Sequence, residues 1–576
     1  MRFVLAIVSF VVAAVMIVAG IAQRTIFAEP DKVALSTVVT TESPVTVIDG
    51  DTLNAFEGSQ TLSVQGPGTV FAAYGRTTDV LAWIGDASYT TVSLDKETGE
   101  LTSKLTRGTE TEVPDPNGSD LWLDDFVKDN DLSMTVKVPS NVSIIIASDG
   151  TEPAPVDIAL SWPLDNSTPW AGPLIVGGAI VLLLGLGFLL WAINHMRSSR
   201  GPRRKMPKVP RQPIYKPTKK AAVDKPASGR RRGMIAVPIV LVGALALSGC
   251  SPEFWPSDQK ATAPSASASE APVDSQLSPP AATVRQIEKI VARISSVAKK
   301  ADADRNGELL ATRFDGAALE LRLANYTIRG ADPSIGALPA IPEGPVKLTL
   351  PQQTDTWPRT VFAVIQDEKD DTIPPVALFL VQQDPRSDYK VSYAITLEPS
   401  AVLPEVAPAS VGAARLAPDS GLLKSTPDDT AEAYADILEK DVESDAYLDF
   451  DTEGDSLRAA VGLAAKQQIR SSLPATASVA FSHELGAAAP IALATNDAGA
   501  IVAVNLNEIT TVQPVEAGAA VNPTGQVKAL SGLAISTKGI RATYGDQLLF
   551  YVPAAGSDAK IVLLGYSVGL VKAGEI

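Results

Sequence analysis

Residues 229–251 read GRRRGMIAVPIVLVGALALSGCS, and their reading decides how the whole chain is arranged. Arg230, Arg231 and Arg232 form a basic cluster, Met234 to Leu247 is a 14-residue run without charge, and small residues lead into Cys250. A charged region, a short apolar region and small residues are the three parts of an export signal. As a helix the run would span about 21 Å, short of a hydrocarbon core of about 30 Å. Such a signal ordinarily opens a chain. Here it lies in the interior, so the residues before it must explain why export has to be restarted.

Two earlier apolar runs supply the explanation. Phe3 to Ala22 is long enough to cross a bilayer and reads as a signal anchor, with a cleaved secretory signal ending near Gly20-Ile21-Ala22 as the alternative. Pro173 to Ile193 has no charge and is flanked by Trp170 and Trp191, aromatic residues of the kind that settle at membrane interfaces. Directly after it, residues 197–232 hold 14 Lys or Arg against the single acid Asp224. Such an excess stays cytoplasmic, so the second run brings the chain back inside and residues 24–169 face outward. To leave again, the chain needs a new signal.

That signal ends in Leu247-Ser248-Gly249-Cys250, which resembles a bacterial lipobox. The resemblance implies recognition of Leu247, Ser248 and Gly249 by a signal peptidase, cleavage before Cys250, and diacylation of that cysteine. Cys250 is the only cysteine of the chain. Residues 251–281 then contain 7 Ser, 6 Pro and 6 Ala, the composition of a flexible tether. A plain third membrane helix is the competing reading. Met206 and Met234 also allow the chain to be two neighbouring products joined, with the same topology.

Composition narrows the chemistry. One cysteine permits no intrachain disulfide and no thiolate cluster. His195 and His483 are the only histidines, and Ala487 stands where an HExxH zinc motif starting at His483 needs its second. The net charge of −16 includes the basic stretch, so the rest of the chain is strongly acidic, which argues against a nucleic-acid partner. No cofactor is expected.

Residues 24–169 carry short strand signals broken by Gly, Pro, Asp and Asn, and are expected to form a β-sandwich-like domain between two membrane helices. The acidic group Asp124, Asp125, Asp129 and Asp131 reads as a solvated loop. Further on, Val284, Ile287, Ile290, Val291 and Ile294 repeat at helical spacing, a second helical stretch covers 308–325, and four strands follow up to Leu397. The same order returns after a Pro-Ala-rich linker at 401–428. Helices then strands resemble the NTF2-like or cystatin-like superfamily, which implies a curled antiparallel sheet wrapped on helices with a cone-shaped pocket. The layout is thus a membrane anchor (1–23), a β-rich domain (24–169), a membrane helix (170–196), a basic linker (197–232), an internal signal (233–250) and a tether (251–281). An α+β domain (282–400), a linker (401–428) and a second α+β domain (429–576) complete it.

An echo joins the two α+β halves. Asp302, Asp304 and Asn306 in one, and Asp449, Asp451 and Glu453 in the other, begin like calcium loops with a glycine next. The glutamate needed at position 12 is replaced by Arg313 and Ala460. These residues therefore read as helix-to-helix turns, and no metal site is expected. Tyr544, Asp546, Tyr551 and Tyr566 supply the residue types of a carboxylate base and tyrosine donor, but alternating aromatics in strands ordinarily fill a core or its rim. No phosphate loop or serine elbow occurs in a fitting context. The expectation is a non-enzymatic protein of the bacterial plasma membrane, with 24–169 and 251–576 outside and 197–232 inside. Its exported modules would bind envelope proteins or a cell-wall component. The alternative is a lipid-anchored carrier or sensor that takes an apolar small molecule in an NTF2-like pocket.

Overall fold

The computed structural model describes residues 2–27, 30–40, 42–164, 169–198, 278–368, 370 and 372–576. The expectations for Leu247, Ser248, Gly249 and Cys250, for the tether and for most of the basic stretch fall outside the described residues. The chain divides into two units, one holding Met1–Ala34 with Ser161–Ala271 and the other Leu35–Leu160 with Pro272–Ile576. In its first part the elements run α1 (Arg2–Thr25), β1 (Lys32–Val38), β2 (Val45–Ile48), α2 (Gly50–Leu53), β3 (Gln60–Arg76), α3 (Thr77–Ile84), β4 (Tyr89–Leu94), β5 (Leu101–Thr106), β6 (Asp124–Val136), β7 (Val142–Ala147), β8 (Asp157–Pro163) and α4 (Ala171–Ser198).

Helices α1 and α4 dominate the first unit, and both are long and apolar enough to cross a membrane. They pack antiparallel along small residues that recur every seventh position. Ala6, Ala13 and Gly20 line one helix, and Ala171, Gly178, Gly185 and Ala192 the other, all buried. A Cβ added at Gly178 would meet Ile17 Cγ1 at 2.6 Å, and one at Gly20 would meet Ile175 Cγ1 at 2.7 Å. If the pair lies in lipid, where no hydrophobic drive acts between helices, such close approach supplies the van der Waals contact that holds it. Val4, Ile7, Val8, Val11, Val15 and Val18 point away, exposed as a lipid-facing surface would be.

The second unit begins with a sheet of eight strands in the order β1-β8-β3-β7-β2-β4-β5, with β6 also paired to β3. The expected strand-rich domain is present, but as one sheet curled nearly into a barrel in place of two layers. The reason is β3: its 17 residues reach past one neighbour and serve β6 and β7 at once. Phe71, Trp83 and Trp122 fill the interior, with the two indoles 5.4 Å apart and Trp122 Nε1 donating to the Pro116 carbonyl at 2.8 Å. The acidic segment read as a loop is strand β6. Its acids divide in two: Asp129 and Asp131 are exposed on an edge strand, whereas Asp124 and Asp125 are half-buried.

The rest of the unit adds α5 (Val284–Asp304), α6 (Gly307–Ala311), α7 (Gly316–Ala331), β9 (Val346–Pro351), β10 (Arg359–Ile365), β11 (Val376–Gln382), β12 (Lys390–Leu397) and β13 (Arg415–Leu416). Then come α8 (Pro427–Lys440), α9 (Ser456–Val461), α10 (Leu463–Ser472), β14 (Ala477–Leu485), β15 (Ile491–Ala494), β16 (Ala500–Pro514), α11 (Gly525–Ser531), β17 (Ile540–Val552) and β18 (Val562–Glu575). Helix α5 starts where the sequence places it because Thr283 and Gln286 close a reciprocal capping box. All ten strands join one sheet, β13-β15-β16-β17-β18-β12-β11-β10-β9, with β14 on β16.

The two α+β halves meet in that sheet through only Thr396↔Tyr566 and Leu397↔Gly565. On its front, the first half packs Ile287, Ile290, Val291 and Ile294 against Val361, Ala363, Leu378 and Leu380. The second half repeats this with Tyr434, Ile437 and Leu438 over Val502, Val504, Leu548 and Phe550. Their backs share a third core of Phe362, Phe379, Tyr393, Ile395, Leu493, Ile501 and Leu549. A two-layer β arrangement therefore does exist in this chain, formed by the backs of two half-sheets.

Candidate functional site

Where the halves join, a cavity of about 410 Å³ opens between α7, α9, β12 and β18. Leu321, Ile341, Val376 and Val568 give it apolar walls, and Arg322, Glu398, Ser456 and Tyr566 give it polar ones. Ser456 Oγ donates to Glu398 Oε1 at 2.5 Å and lies 2.9 Å from Tyr566 OH. A hydroxyl has one proton, so Tyr566 must donate to Ser456, and the chain of bonds ends on the Glu398 carboxylate. Arg322 is held by Asp302 at 2.6 Å and the Pro339 carbonyl at 2.8 Å. The site can therefore offer a carboxylate to a donor group at one end of an apolar wall.

A second polar group lies on the front face of the last half-sheet. Register places His483 opposite Glu508 and Glu508 opposite Tyr544, all on the side covered by α8 and α10. Lys466 Nζ reaches Glu508 Oε1 at 3.0 Å and His483 Nε2 at 3.1 Å. His483 Nε2 also lies 3.1 Å from Glu508 Oε1, so that one ring nitrogen accepts from the Lys466 ammonium in one tautomer and donates to the Glu508 carboxylate in the other. Burial alone would raise the Glu508 pKa, but the bond to His483 and the charge of Lys466 hold it below the ordinary value. Asp546, one row along, is fully buried, and neither carboxylate oxygen has a hydrogen-bond partner among the described residues. Burial, then the Glu508 charge, pushes its pKa well up, with Lys466 opposing.

A raised pKa in the folded chain means that the native state binds more protons than the unfolded one between the two values, so stability falls as pH rises through that interval. Asp546→Asn removes the ionising group at constant volume. The variant is expected to melt higher than wild type at pH 7, with the gain growing as pH rises above about 4. A lower melting temperature at pH 7 with an unchanged pH slope would count against a neutral, shielded acid.

The third and largest polar assembly joins residues 35–160 to 278–400. Asp79 Oδ1 meets Arg359 at 2.7 Å with both side chains almost fully buried, and Arg359 stacks 3.8 Å over the Trp357 ring. Asp120, wholly buried, pairs with Arg313 and with Arg293 at 3.1 Å and accepts from the Tyr389 N–H at 3.0 Å. Asp124 takes Lys289 at 2.6 Å and Arg285 at 3.1 Å. Arg386 binds Glu110 at 2.7 Å and the carbonyls of Trp83 and Ile84 at 2.8 and 2.7 Å. Gln286 Nε2 donates to the Leu121 carbonyl at 3.0 Å.

The residues singled out from sequence are dispersed. Asp302 is committed to Arg322 and to the Tyr326 hydroxyl at 2.6 Å, Asn306 caps α6, and Asp304 points outward. Asp449 lies 3.5 Å from Lys424, while Asp451 and Glu453 share a turn. Among the described residues no cluster of three metal-ligating groups occurs. Tyr566 reaches the cavity and Tyr544 the Glu508 row, whereas Tyr551 lies on the opposite face and donates to Asp497 at 2.5 Å. Sequence reasoning missed Glu398, Ser456, Lys466 and Glu508. A signal existed for the last: Asn505, Asn507 and Glu508 interrupt an otherwise apolar strand.

A family model described as a domain of unknown function, DUF8094, matches residues 278–575. The chain belongs to this family. The DUF8094 region thus takes in both α+β halves, the cavity between them and the basic side of the contact with residues 35–160. No curated protein and no solved structure matches the chain.

Proposed function

We propose that this DUF8094 protein is a non-enzymatic, lipid-anchored component of a bacterial cell envelope that presents its exported domains as binding and scaffolding modules. The observation that carries the reading is topological. If α1 and α4 both span the membrane, residues 35–160 lie on the opposite side from residue 199. Yet residues 35–160 pack into one unit with the DUF8094 region. Both conditions are met only if the chain crosses once more between 199 and 277, and Met234 to Leu247 is the apolar run available there. The parity argument holds for either orientation. The basic stretch selects the one with 197–232 in the cytoplasm.

Cleavage before Cys250 and diacylation then leave the tether outside on two acyl chains, the number needed for stable anchoring. The fit of α1 against α4 supports a retained anchor over a cleaved leader. Helices over the front of each half-sheet support two NTF2-like modules at 282–400 and 429–576. The absence of catalysis is supported by how the polar groups are spent. Ser456 donates its one hydrogen bond to Glu398, and His483 Nε2 is shared between Lys466 and Glu508.

The cavity supports a second reading as carrier or sensor. Its volume of about 410 Å³ is within the usual range for small-molecule sites, and its apolar wall with Glu398 at one end suits an amphipathic ligand bearing a hydroxyl or ammonium group. Crosslinking in intact cells followed by capture through a tag after Ile576 tests both. Reproducible recovery of envelope proteins or cell-wall fragments is expected. Recovery of a small amphiphile that Leu321→Trp excludes, with no macromolecular partner, would replace the scaffold by the carrier.

A further inference from the structure

The contact between residues 35–160 and the DUF8094 region has the character of an interface between two proteins. In each ion pair that crosses it the acid comes from the first domain and the base from the second: Asp79 with Arg359, Glu110 with Arg386, Asp120 with Arg293 and Arg313, Asp124 with Arg285 and Lys289. This segregation of sign is not a by-product of composition, because the chain as a whole carries −16 and its Asp and Glu outnumber its Lys and Arg by 65 to 49. A predominantly acidic protein has gathered its bases on one face, opposite an acidic one. Complementary potentials of this kind steer and register separate partners. The centre is built like a binding hot spot, with Trp357 packed against the core of the first domain and Arg359 stacked on it.

We propose that residues 35–160 are a docking receptor for the DUF8094 region and that the two remain one assembly when the chain between them is cut. The inference rests on the export reading for its setting: cleavage before Cys250 would otherwise release a fragment, and docking makes it a lipid-anchored subunit held by a helix-anchored one. The contact itself needs no covalent link. The residues of the pairs named above lie within 79–124 and 285–386, and Asp79 and Arg359 stand 280 positions apart.

The test uses the full membrane-bound chain with a site-specific protease sequence inserted between Ser265 and Ala266 and a tag after Ile576. After cutting and detergent extraction at 0.15 M salt, as an assay condition of about physiological strength, the fragment containing residues 2–198 is expected to be captured with the tagged fragment in equal amounts. Arg386→Glu places two acids together at the rim and is expected to speed release about tenfold, while Arg386→Glu with Glu110→Arg brings release back to within about threefold of wild type. Asp120→Asn is expected to speed release about a hundredfold. If that buried variant is degraded before capture, the rim reversals still read the contact. Separation of the wild-type fragments on cutting, or release rates indifferent to both reversals, would overturn the proposal. Because the cut is engineered, docking can fail while natural processing at Cys250 succeeds, and the reverse.

Discussion

Asp79→Asn is expected to lower the stability of the unit formed by residues 35–160 and 272–576 by about 3–5 kcal/mol, the cost of stripping one partner from a buried ion pair. The size follows from what is left behind. Arg359 Nη2 loses its 2.7 Å contact, and Arg76, whose Nε lies 3.3 Å from the same carboxylate, loses its counter-ion as well. Two guanidiniums would then stand together out of water. The Arg76 pKa is already lowered by burial and by Arg359, with the Asp79 charge opposing both. Arg359 Nε has no hydrogen-bond partner among the described residues, so the site has little spare hydrogen bonding with which to absorb the change. Replacing the pair together, as Asp79→Leu with Arg359→Met, is expected to recover most of the loss, since apolar groups of similar volume often serve as well as a buried pair. Denaturant midpoints of the three variants measure this. A single variant that loses less than about 1 kcal/mol would show the pair to be effectively solvated.

Cys250→Ser is expected to abolish processing outright. Tags at the two ends of the unmutated chain should report two products, and the variant only the full-length chain. A full-length band alone from the unmutated gene would remove the lipid anchor. The same variant has no cysteine, which makes it the background for topology. Lys96→Cys and Asp558→Cys, at exposed positions, are expected to react with an impermeant maleimide in intact cells, and Ser228→Cys to stay protected. Labelling of Ser228→Cys alone would invert the orientation while leaving the odd number of crossings intact.

Local patterns carried much of the secondary structure. The apolar residues of α5 recur at helical spacing, its Thr283-to-Gln286 box marks the start, and the alternation in β12 marks a sheet. The small residues of α1 and α4 were equally legible as a seven-residue repeat, although a span read only for length and charge hides it. What stayed hidden was long-range. No local signal says that β18 pairs with β12 over two residues, or that the backs of two half-sheets share one core. β6 was misread because its acids look like a loop until their arginines, far along the chain, are brought beside them. The cavity was opaque for the same reason: Glu398, Ser456 and Tyr566 come from three separate elements, and each is unremarkable where it stands.

The order of the partners along the chain also sets a timetable. With synthesis at about 5–20 residues per second, the stretch from Asp120 to Arg359 takes on the order of ten to fifty seconds to make. The first domain completes its own sheet before any arginine of the DUF8094 region exists, so Asp120 spends that interval without a cationic partner and Asp79 has only Arg76 beside it until a late docking step. Maturation is thus two-stage by construction. A transcript truncated before Arg285 would leave the first stage finished and an acidic face permanently open.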